Sequence, residues 1–137
     1  MRTILCSIHA LIVAALVTGC SPSVWVRVYN NTPETIFVSA ARKRFVVPAA
    51  SQIRFEPGID NTTSFLVEIG TQRIAYQIKG VPIPKPFWSD KRGCVDLSLQ
   101  LQGDHKIYIV HPCSTFPVQN LPKQPTGFPL GPVRAIE

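Results

Sequence analysis

The chain has 137 residues, of which 45% are hydrophobic, and carries a formal net charge of +6. This length suits one folded domain and argues against a second. The basic excess is modest and dispersed, so an anionic bilayer or an acidic glycan could attract it. After the first twenty residues, no apolar stretch is long enough to cross a membrane as a helix.

The N-terminal residues have the pattern of an export signal. Arg2 supplies a positive charge, an apolar run follows over residues 4–17, and Val17-Thr18-Gly19-Cys20 provides the small residues that cleavage requires. The apolar run has about 14 residues, against roughly 20 for a spanning helix, so we expect cleavage rather than retention. Export also argues against nucleic acid as a partner.

With Gly19 directly before Cys20, the segment resembles the lipobox of bacterial lipoproteins, and the match covers residues 1–20 only. The resemblance implies a signal peptide over 1–19, a lipidated tether over 20–23, and a diacylglyceryl thioether, usually with an N-acyl chain of the palmitate type, on Cys20. Two or three chains anchor stably, at about 0.8 kcal/mol per buried CH₂. Ser21 in place of Asp implies the outer membrane, facing the periplasm. The alternative is an ordinary secretory signal with a chance cysteine.

From Val24 onward the sequence is typical of an all-β protein. Short β-branched and aromatic runs alternate with Pro, Gly and Asn clusters, without helical apolar spacing. Seven or eight short strands predict a small antiparallel β-sandwich of immunoglobulin-like or transthyretin-like size over residues 24–113. A partly open barrel is the alternative. The predicted strands cover residues 24–30, 35–40, 43–47, 51–56, 64–69, 73–79, 94–102 and 105–113.

The last hairpin yields the most specific structural prediction. Gly103-Asp104 fits a two-residue turn, which sets Leu99 opposite Tyr108 and Cys94 opposite Cys113. Opposed Cα atoms lie about 4.5–5.5 Å apart, so an oxidising compartment favours a Cys94–Cys113 disulfide. Closing this loop should stabilise the fold by about 3 kcal/mol. The same register assigns one face to the core: Val95, Leu97, Leu99, Leu101, Tyr108 and Val110.

Two segments are rich in proline. Residues 114–137 form a Pro-rich C-terminal arm, which packs on the sandwich, stays disordered, or docks on a partner in a polyproline conformation. Its apolar residues are Phe116, Phe128, Leu130 and Val133. In the segment 81–88 the prolines are spaced so closely that a regular central strand is not expected.

The inventory of catalytic groups is poor. No nucleophile elbow, phosphate-binding glycine loop or two-histidine helix motif is present in the sequence. The predicted register sets Asp96 opposite His111 beside the two cysteines. A disulfide next to a surface Asp–His pair, a zinc site, and a redox-active thiol pair are the three interpretations. We favour the first, because zinc would need reduced thiols in an oxidising compartment, and expect neither metal nor enzyme activity.

Two groups of side chains are candidates for binding. Arg42-Lys43-Arg44 is the densest basic run, suited to lipid headgroups or peptidoglycan, although it can equally be a solvated loop. The second group combines aromatic rings with cations on a predicted loop, as in glycan sites and protein hot spots. It comprises Phe87, Trp88, Lys91 and Arg92. Trp88 can equally cap the core.

These observations predict an outer-membrane-anchored lipoprotein that acts as a non-enzymatic interaction or structural module in a cell-envelope assembly. Its expected partners are the membrane, through the covalent lipid on Cys20 as the only cofactor, and an envelope protein. The alternative is a periplasmic inhibitor or immunity-type lipoprotein that inserts a protruding loop over 80–93 into an envelope hydrolase. A metal-dependent enzyme at Asp96 and His111 is a third interpretation. Exposed, contiguous aromatic residues in the loop and arm would favour a protein interface.

Overall fold

The computed structural model describes residues 24–57, 64–78, 80–91 and 94–133, with the backbone alone for 89–91, 94 and 95. The signal segment, Cys20 and Arg92 lie outside the described residues. Within these ranges no helix is long and apolar enough to cross a membrane. A 3₁₀ turn, Lys85–Phe87, precedes β7. The strands are β1 Val24–Asn31, β2 Ile36–Ala40, β3 Lys43–Val47, β4 Gln52–Phe55, β5 Ser64–Ile69, β6 Gln72–Gln77, β7 Trp88–Lys91, β8 Cys94–Gln102 and β9 Ile107–Val110.

The strands form two packed sheets, which confirms the predicted all-β sandwich. Sheet A has the order β4-β1-β8-β7, with β9 pairing the second half of β8, and sheet B has the order β3-β2-β5-β6. β1 and β8 run parallel from Val24 opposite Val95 to Asn31 opposite Gln102, so sheet A is mixed rather than antiparallel throughout. Because residues 32–93 separate these two strands, no hairpin constrains their relative direction.

The core follows the two-residue period of the strands. Alternate residues of β2 and β5 are buried, since successive side chains point to opposite faces of a sheet. β8 is buried on both faces from Leu97 to Leu101. Aromatic rings link the two layers: the centroids of Phe55 in sheet A and Phe65 in sheet B are 5.6 Å apart, and Phe65 stacks on Tyr76 at 5.7 Å. The largest aliphatic side chains that are fully buried are Ile36, Leu99, Leu101, Ile107 and Ile109.

The two sheets are joined through Asn30. Asn30, fully buried near the end of β1, donates from Nδ2 to the carbonyls of Glu34, Val47 and Pro48 at 2.8, 3.0 and 3.1 Å, joining sheet A to the end of β3. We call this the Asn30 end. At the opposite Val24 end lie the start of β1, the β2–β3 turn, the end of β4, and the starts of β5 and β8.

The turn of the last hairpin differs from the prediction. Three residues, Gly103 to His105, form the loop, and His105 adopts a left-handed φ of 58°. The carbonyl of Gln102 accepts from the His105 N–H at 3.0 Å, as in a type I turn followed by a bulge residue. Leu99 therefore faces Ile109 instead of Tyr108. The one-residue shift turns Ile107 and Ile109 into the core and leaves Tyr108 half-buried.

The corrected register removes the basis for the disulfide. β9 ends at Val110, before Cys113, and β7 occupies the edge of β8 at this point, with Lys91 as the partner of Cys94. Cys113 carries a free, exposed thiol. The side chain of Cys94 lies outside the described residues, so the structure gives no support to a Cys94–Cys113 bond.

The proline-rich arm packs on its own domain. The ring of Phe116 stacks on Tyr29 with centroids 4.9 Å apart, and Phe128 and Leu130 are buried. Leu130 also exchanges backbone hydrogen bonds with Ile107. The arm thereby extends the core over the outer side of sheet A and along β9, which is the first of its three predicted alternatives.

Two glutamine side chains fix the arm. The fully buried Gln100 of β8 donates to the Val118 carbonyl at 3.0 Å and accepts from the Val118 N–H at 2.8 Å. Gln124 of the arm makes the reciprocal pair with the backbone of Ile109, at 2.9 and 3.0 Å. Each amide replaces one step of a strand ladder, because a primary amide matches the backbone's donor and acceptor.

Candidate functional site

The outer face of sheet A carries polar and aromatic side chains at the Val24 end. Trp25 and Arg27 alternate with the buried Val26, so they point away from the core. Arg27 lies opposite Arg54 of β4, and Trp25 lies opposite Asp96 of β8. Pairing on both sides of β1 thus gathers side chains that are far apart in sequence.

Arg54 is held between an aromatic ring and a carboxylate. Its guanidinium carbon lies 4.4 Å from the centroid of the Trp25 ring, within the range of a cation–π contact. Its Nη2 and Nε donate to Asp96 Oδ1 at 2.6 and 3.2 Å. The Arg54 side chain remains 51% exposed, so the pair contributes little to stability, and its positive charge faces solvent.

Arg27 is fixed more firmly than Arg54. It is half-buried, its Nε and Nη2 donate to Ser98 Oγ at 3.2 and 2.8 Å, and Nη2 also donates to the Pro112 carbonyl. The Phe116 ring lies 5.4 Å from its guanidinium carbon. Arg27, Arg54, Asp96, Leu97, Ser98, Pro112 and Cys113 line a cleft of about 260 Å³. With two guanidinium groups and one carboxylate, this cleft suits an anionic group.

The basic run of the sequence lies at the same end, on sheet B. Ala41 and Arg42 form the two-residue β2–β3 turn with positive φ values of 48° and 62°. Arg42, Lys43 and Arg44 are all exposed, and the guanidinium carbon of Arg44 lies 4.0 Å from the centroid of the Phe37 ring while its Nη2 forms a 2.6 Å ion pair with Glu68. This run borders a concave surface of about 540 Å³, whose floor includes Ala40, Phe65, Leu66 and Ala75.

The predicted binding group of Phe87, Trp88, Lys91 and Arg92 does not form one surface among the described residues. Trp88 begins β7 opposite Leu97, and both Phe87 and Trp88 are half-buried against the core. Lys91 ends β7 beside Cys94, at the Val24 end. In the segment 81–88, Val81, Ile83, Phe87 and Trp88 pack against the core, whereas Pro82, Pro84, Lys85 and Pro86 are exposed. The structure brings Lys91 to the same end as Arg42 and Lys43, and leaves the two aromatic rings in the sandwich.

The predicted Asp96–His111 pair is wrong. Asp96 is bound by Arg54, while the exposed His111, beyond the end of β9, accepts a hydrogen bond from the Cys113 N–H on Nδ1 at 3.2 Å. The pair fails because the register is shifted by one residue and the strand ends earlier than predicted. In the part of the chain that the structure describes, no group of three His, Cys, Asp or Glu side chains is placed to hold a metal ion.

The Asn30 end carries exposed acidic side chains. Glu34 and Asp104 are exposed there, and Asp104 accepts from the Tyr108 hydroxyl at 3.0 Å, which raises the pKa of Tyr108. The buried Tyr76 pairs with Phe65 in sheet B, and its hydroxyl reaches across to this loop and donates to the His105 carbonyl at 2.7 Å. Burial, followed by the charge of Asp104, raises the pKa of Tyr76 well above its usual range.

Sequence reasoning missed Trp25, Arg27 and Arg54. The alternation of β1 indicated that Trp25 and Arg27 face outward, but only the pairing of β1 with β4 and β8 reveals their neighbours. No family model, no curated protein and no solved structure matches the chain. The arrangement of the side chains must therefore carry the functional argument.

Proposed function

We propose that the protein is an outer-membrane lipoprotein whose β-sandwich is a non-enzymatic interaction module in a cell-envelope assembly, facing the periplasm. The observation that carries this proposal is the position of the first strand. β1 begins at Val24, four residues after the proposed lipid site at Cys20. Four residues span at most about 14 Å, so a lipid on Cys20 would keep the Val24 end beside the bilayer.

The partners of the polar side chains support a structural rather than catalytic role. Asn30, Gln100 and Gln124 are engaged with backbone groups that join the sheets or fix the arm. Asp96 is paired with Arg54, and His111 accepts from a nearby backbone N–H. These groups rigidify the domain, and a rigid domain loses little entropy when it binds a partner.

The outer face of sheet B is the surface that we assign to an envelope protein. The arm covers part of the outer face of sheet A, whereas β3 of sheet B exposes Val46 at 61%. Phe37 of β2 lies opposite Val46, and on the next strand, β5, lie half-buried Leu66 and Glu68, which forms an ion pair with Arg44. A mixture of apolar side chains and satisfied polar groups is typical of non-obligate interfaces.

The proposal is tested on the full chain, tagged at the C-terminus and expressed in a bacterium with two membranes. Mass spectrometry of the mature N-terminus should find Cys20 as the first residue, carrying acyl chains, in the outer-membrane fraction. An unmodified N-terminus at another residue would overturn the lipoprotein assignment. Cys20→Ala is the matched control, since it should abolish both acylation and processing.

The partner is sought with a photo-crosslinking amino acid at Val46, using Lys123 in the arm as the control position. We expect one envelope protein to be crosslinked from Val46 in stoichiometric amount, and Leu66→Asp to abolish this product without unfolding the domain. Equal crosslinking from both positions, or none from Val46, would contradict the assembly role. Mild-detergent purification of the unlabelled protein should recover the same partner.

A further inference from the structure

We propose that the Val24 end of the sandwich is a docking surface for anionic lipid headgroups, with Trp25 and Arg54 on sheet A and Arg42 and Lys43 on sheet B as its contacts. The inference rests on the proposed lipid anchor, because the occupant is the leaflet that would hold the acyl chains of Cys20. It adds a defined orientation and a lipid specificity to that anchor.

The length of the tether supports this occupant. Only residues 21–23 separate Cys20 from β1, and Trp25 is the second residue of that strand. Each strand residue advances about 3.3 Å, so Arg54, opposite Arg27, lies only about 10 Å along sheet A from Val24. A lipid on Cys20 would therefore bring Trp25 and Arg54 within reach of the headgroups without a change in the fold.

The two sheets present cations at this end together. β2 begins at the Asn30 end and runs toward the Val24 end, so the β2–β3 turn lies at the Val24 end. At the same end, the ring of Phe55 in β4 packs on the ring of Phe65 in β5. The cations of this end outnumber its acids among the described residues. The cations are Arg27, Arg42, Lys43, Arg44 and Arg54, and the acids are Glu56, Glu68 and Asp96.

The chemistry of these side chains fits an interface of lipid headgroups. Tryptophan is enriched at the headgroup level, where its ring is apolar and its N–H can donate to polar groups. Arg54 stacks on the Trp25 ring and is half exposed, and arginine side chains bind phosphate oxygens through charge-assisted hydrogen bonds. The cleft of about 260 Å³ beside Arg27 and Arg54 is large enough for a single phosphate group. Each cation near an anionic surface should raise occupancy roughly fivefold.

The test uses the lipidated full-length mature protein, reconstituted into vesicles of phosphatidylcholine alone or with about one third phosphatidylglycerol. The chain has two tryptophans, so Trp88→Phe leaves Trp25 as the single fluorophore. We expect lipids brominated near the headgroup to quench Trp25 on the anionic vesicles, and molar salt to reverse this quenching. Unchanged circular dichroism is required of the variant. If it misfolds, hydrogen exchange of β1 in the unsubstituted protein replaces the fluorescence readout.

Charge reversal separates docking from a general charge effect. Arg42→Glu with Lys43→Glu should lower the ratio of docked to undocked protein at least roughly twentyfold. The control, Lys106→Glu with Lys123→Glu, changes the net charge equally away from the Val24 end and should leave the ratio within about twofold. Equal losses in the two variants, or equal quenching on neutral and anionic vesicles, would overturn the docking surface.

The failure of the anchor and the failure of docking are distinguishable. If mass spectrometry finds no acyl chain on Cys20, the proposed function fails and the docking surface fails with it. If the acylated protein floats with the vesicles while Trp25 stays unquenched, the anchor stands and the docking surface alone is refuted.

Discussion

The substitution Asn30→Ala should be among the most destabilising single changes that the described fold allows. The Asn30 side chain is fully buried and joins both sheets at the Asn30 end. Its Nδ2 donates to three carbonyls at 2.8–3.1 Å, and its Oδ1 accepts from the N–H and hydroxyl of Thr32 at 3.0 and 2.7 Å. Alanine removes all of these bonds and leaves the Thr32 N–H buried without this acceptor.

The magnitude follows from these contacts. The two N–H groups of Nδ2 and the two bonds to Oδ1 amount to about four hydrogen bonds, each with a net contribution of about 1 kcal/mol. The exposed residues Glu34 and Pro48 allow water to replace part of the loss, since their carbonyls lie near the surface. We therefore expect the free energy of unfolding to fall by about 3 kcal/mol, against a total of about 5–15 kcal/mol for a domain.

Equilibrium unfolding in urea, followed by circular dichroism, measures this change. Asn31→Ala is the matched control, because this neighbouring side chain is exposed and makes one side-chain bond, to Gln102 Oε1 at 2.7 Å. We expect the control to lose less than about 1 kcal/mol. If Asn30→Ala costs no more than Asn31→Ala at an unchanged urea dependence, the assigned role of the buried amide is wrong.

Three further changes test other parts of the fold. Gln100→Leu removes both bonds to Val118, so hydrogen exchange in the arm should accelerate while that of sheet B stays slow; protection retained throughout the arm would contradict this. Gly70→Ala should cost about 1 kcal/mol in urea melts, because φ at this turn is +55°; an unchanged melt would refute the strain. Tyr76→Phe should cost about 1 kcal/mol at neutral pH by losing the bond to the His105 carbonyl. Burial raises the pKa of Tyr76 in the folded protein, so above about pH 10 the phenol ionises in the unfolded state first and the unsubstituted protein should lose stability. The Phe variant should lose less stability over the same range. Urea melts of both proteins at pH 8 and pH 11 measure this difference, and equal losses would contradict the prediction.

The sequence predicted most strands well because runs of β-branched and aromatic residues are bounded by turn-forming residues. β1 to β5 and β8 lie within a residue of their predicted bounds. β7 was missed because it follows a proline-rich segment and begins only at Trp88, where no further proline interrupts the pairing.

The last hairpin shows why register is harder to predict than strand position. A two-residue turn at Gly103-Asp104 and a three-residue loop with His105 in the left-handed region both fit the sequence locally. Tertiary packing decides between them, because the longer loop buries Ile107 and Ile109 instead of Tyr108. One residue of error was enough to produce a false cysteine pair and a false Asp–His pair.

The candidate site depends on strand direction, which no local pattern reveals. If β8 ran antiparallel to β1, its first residues would lie at the Asn30 end, and Asp96 would be far from Trp25 and Arg54. The parallel pairing instead sets the beginnings of both strands side by side, at the end where the tether would join the domain. The basic turn at Arg42 lies at the same end because β2, in sheet B, runs from the Asn30 end toward the Val24 end. The orientation on a membrane is therefore a consequence of topology: a lipid attached at Cys20 would hold this end, and no other, against the headgroups.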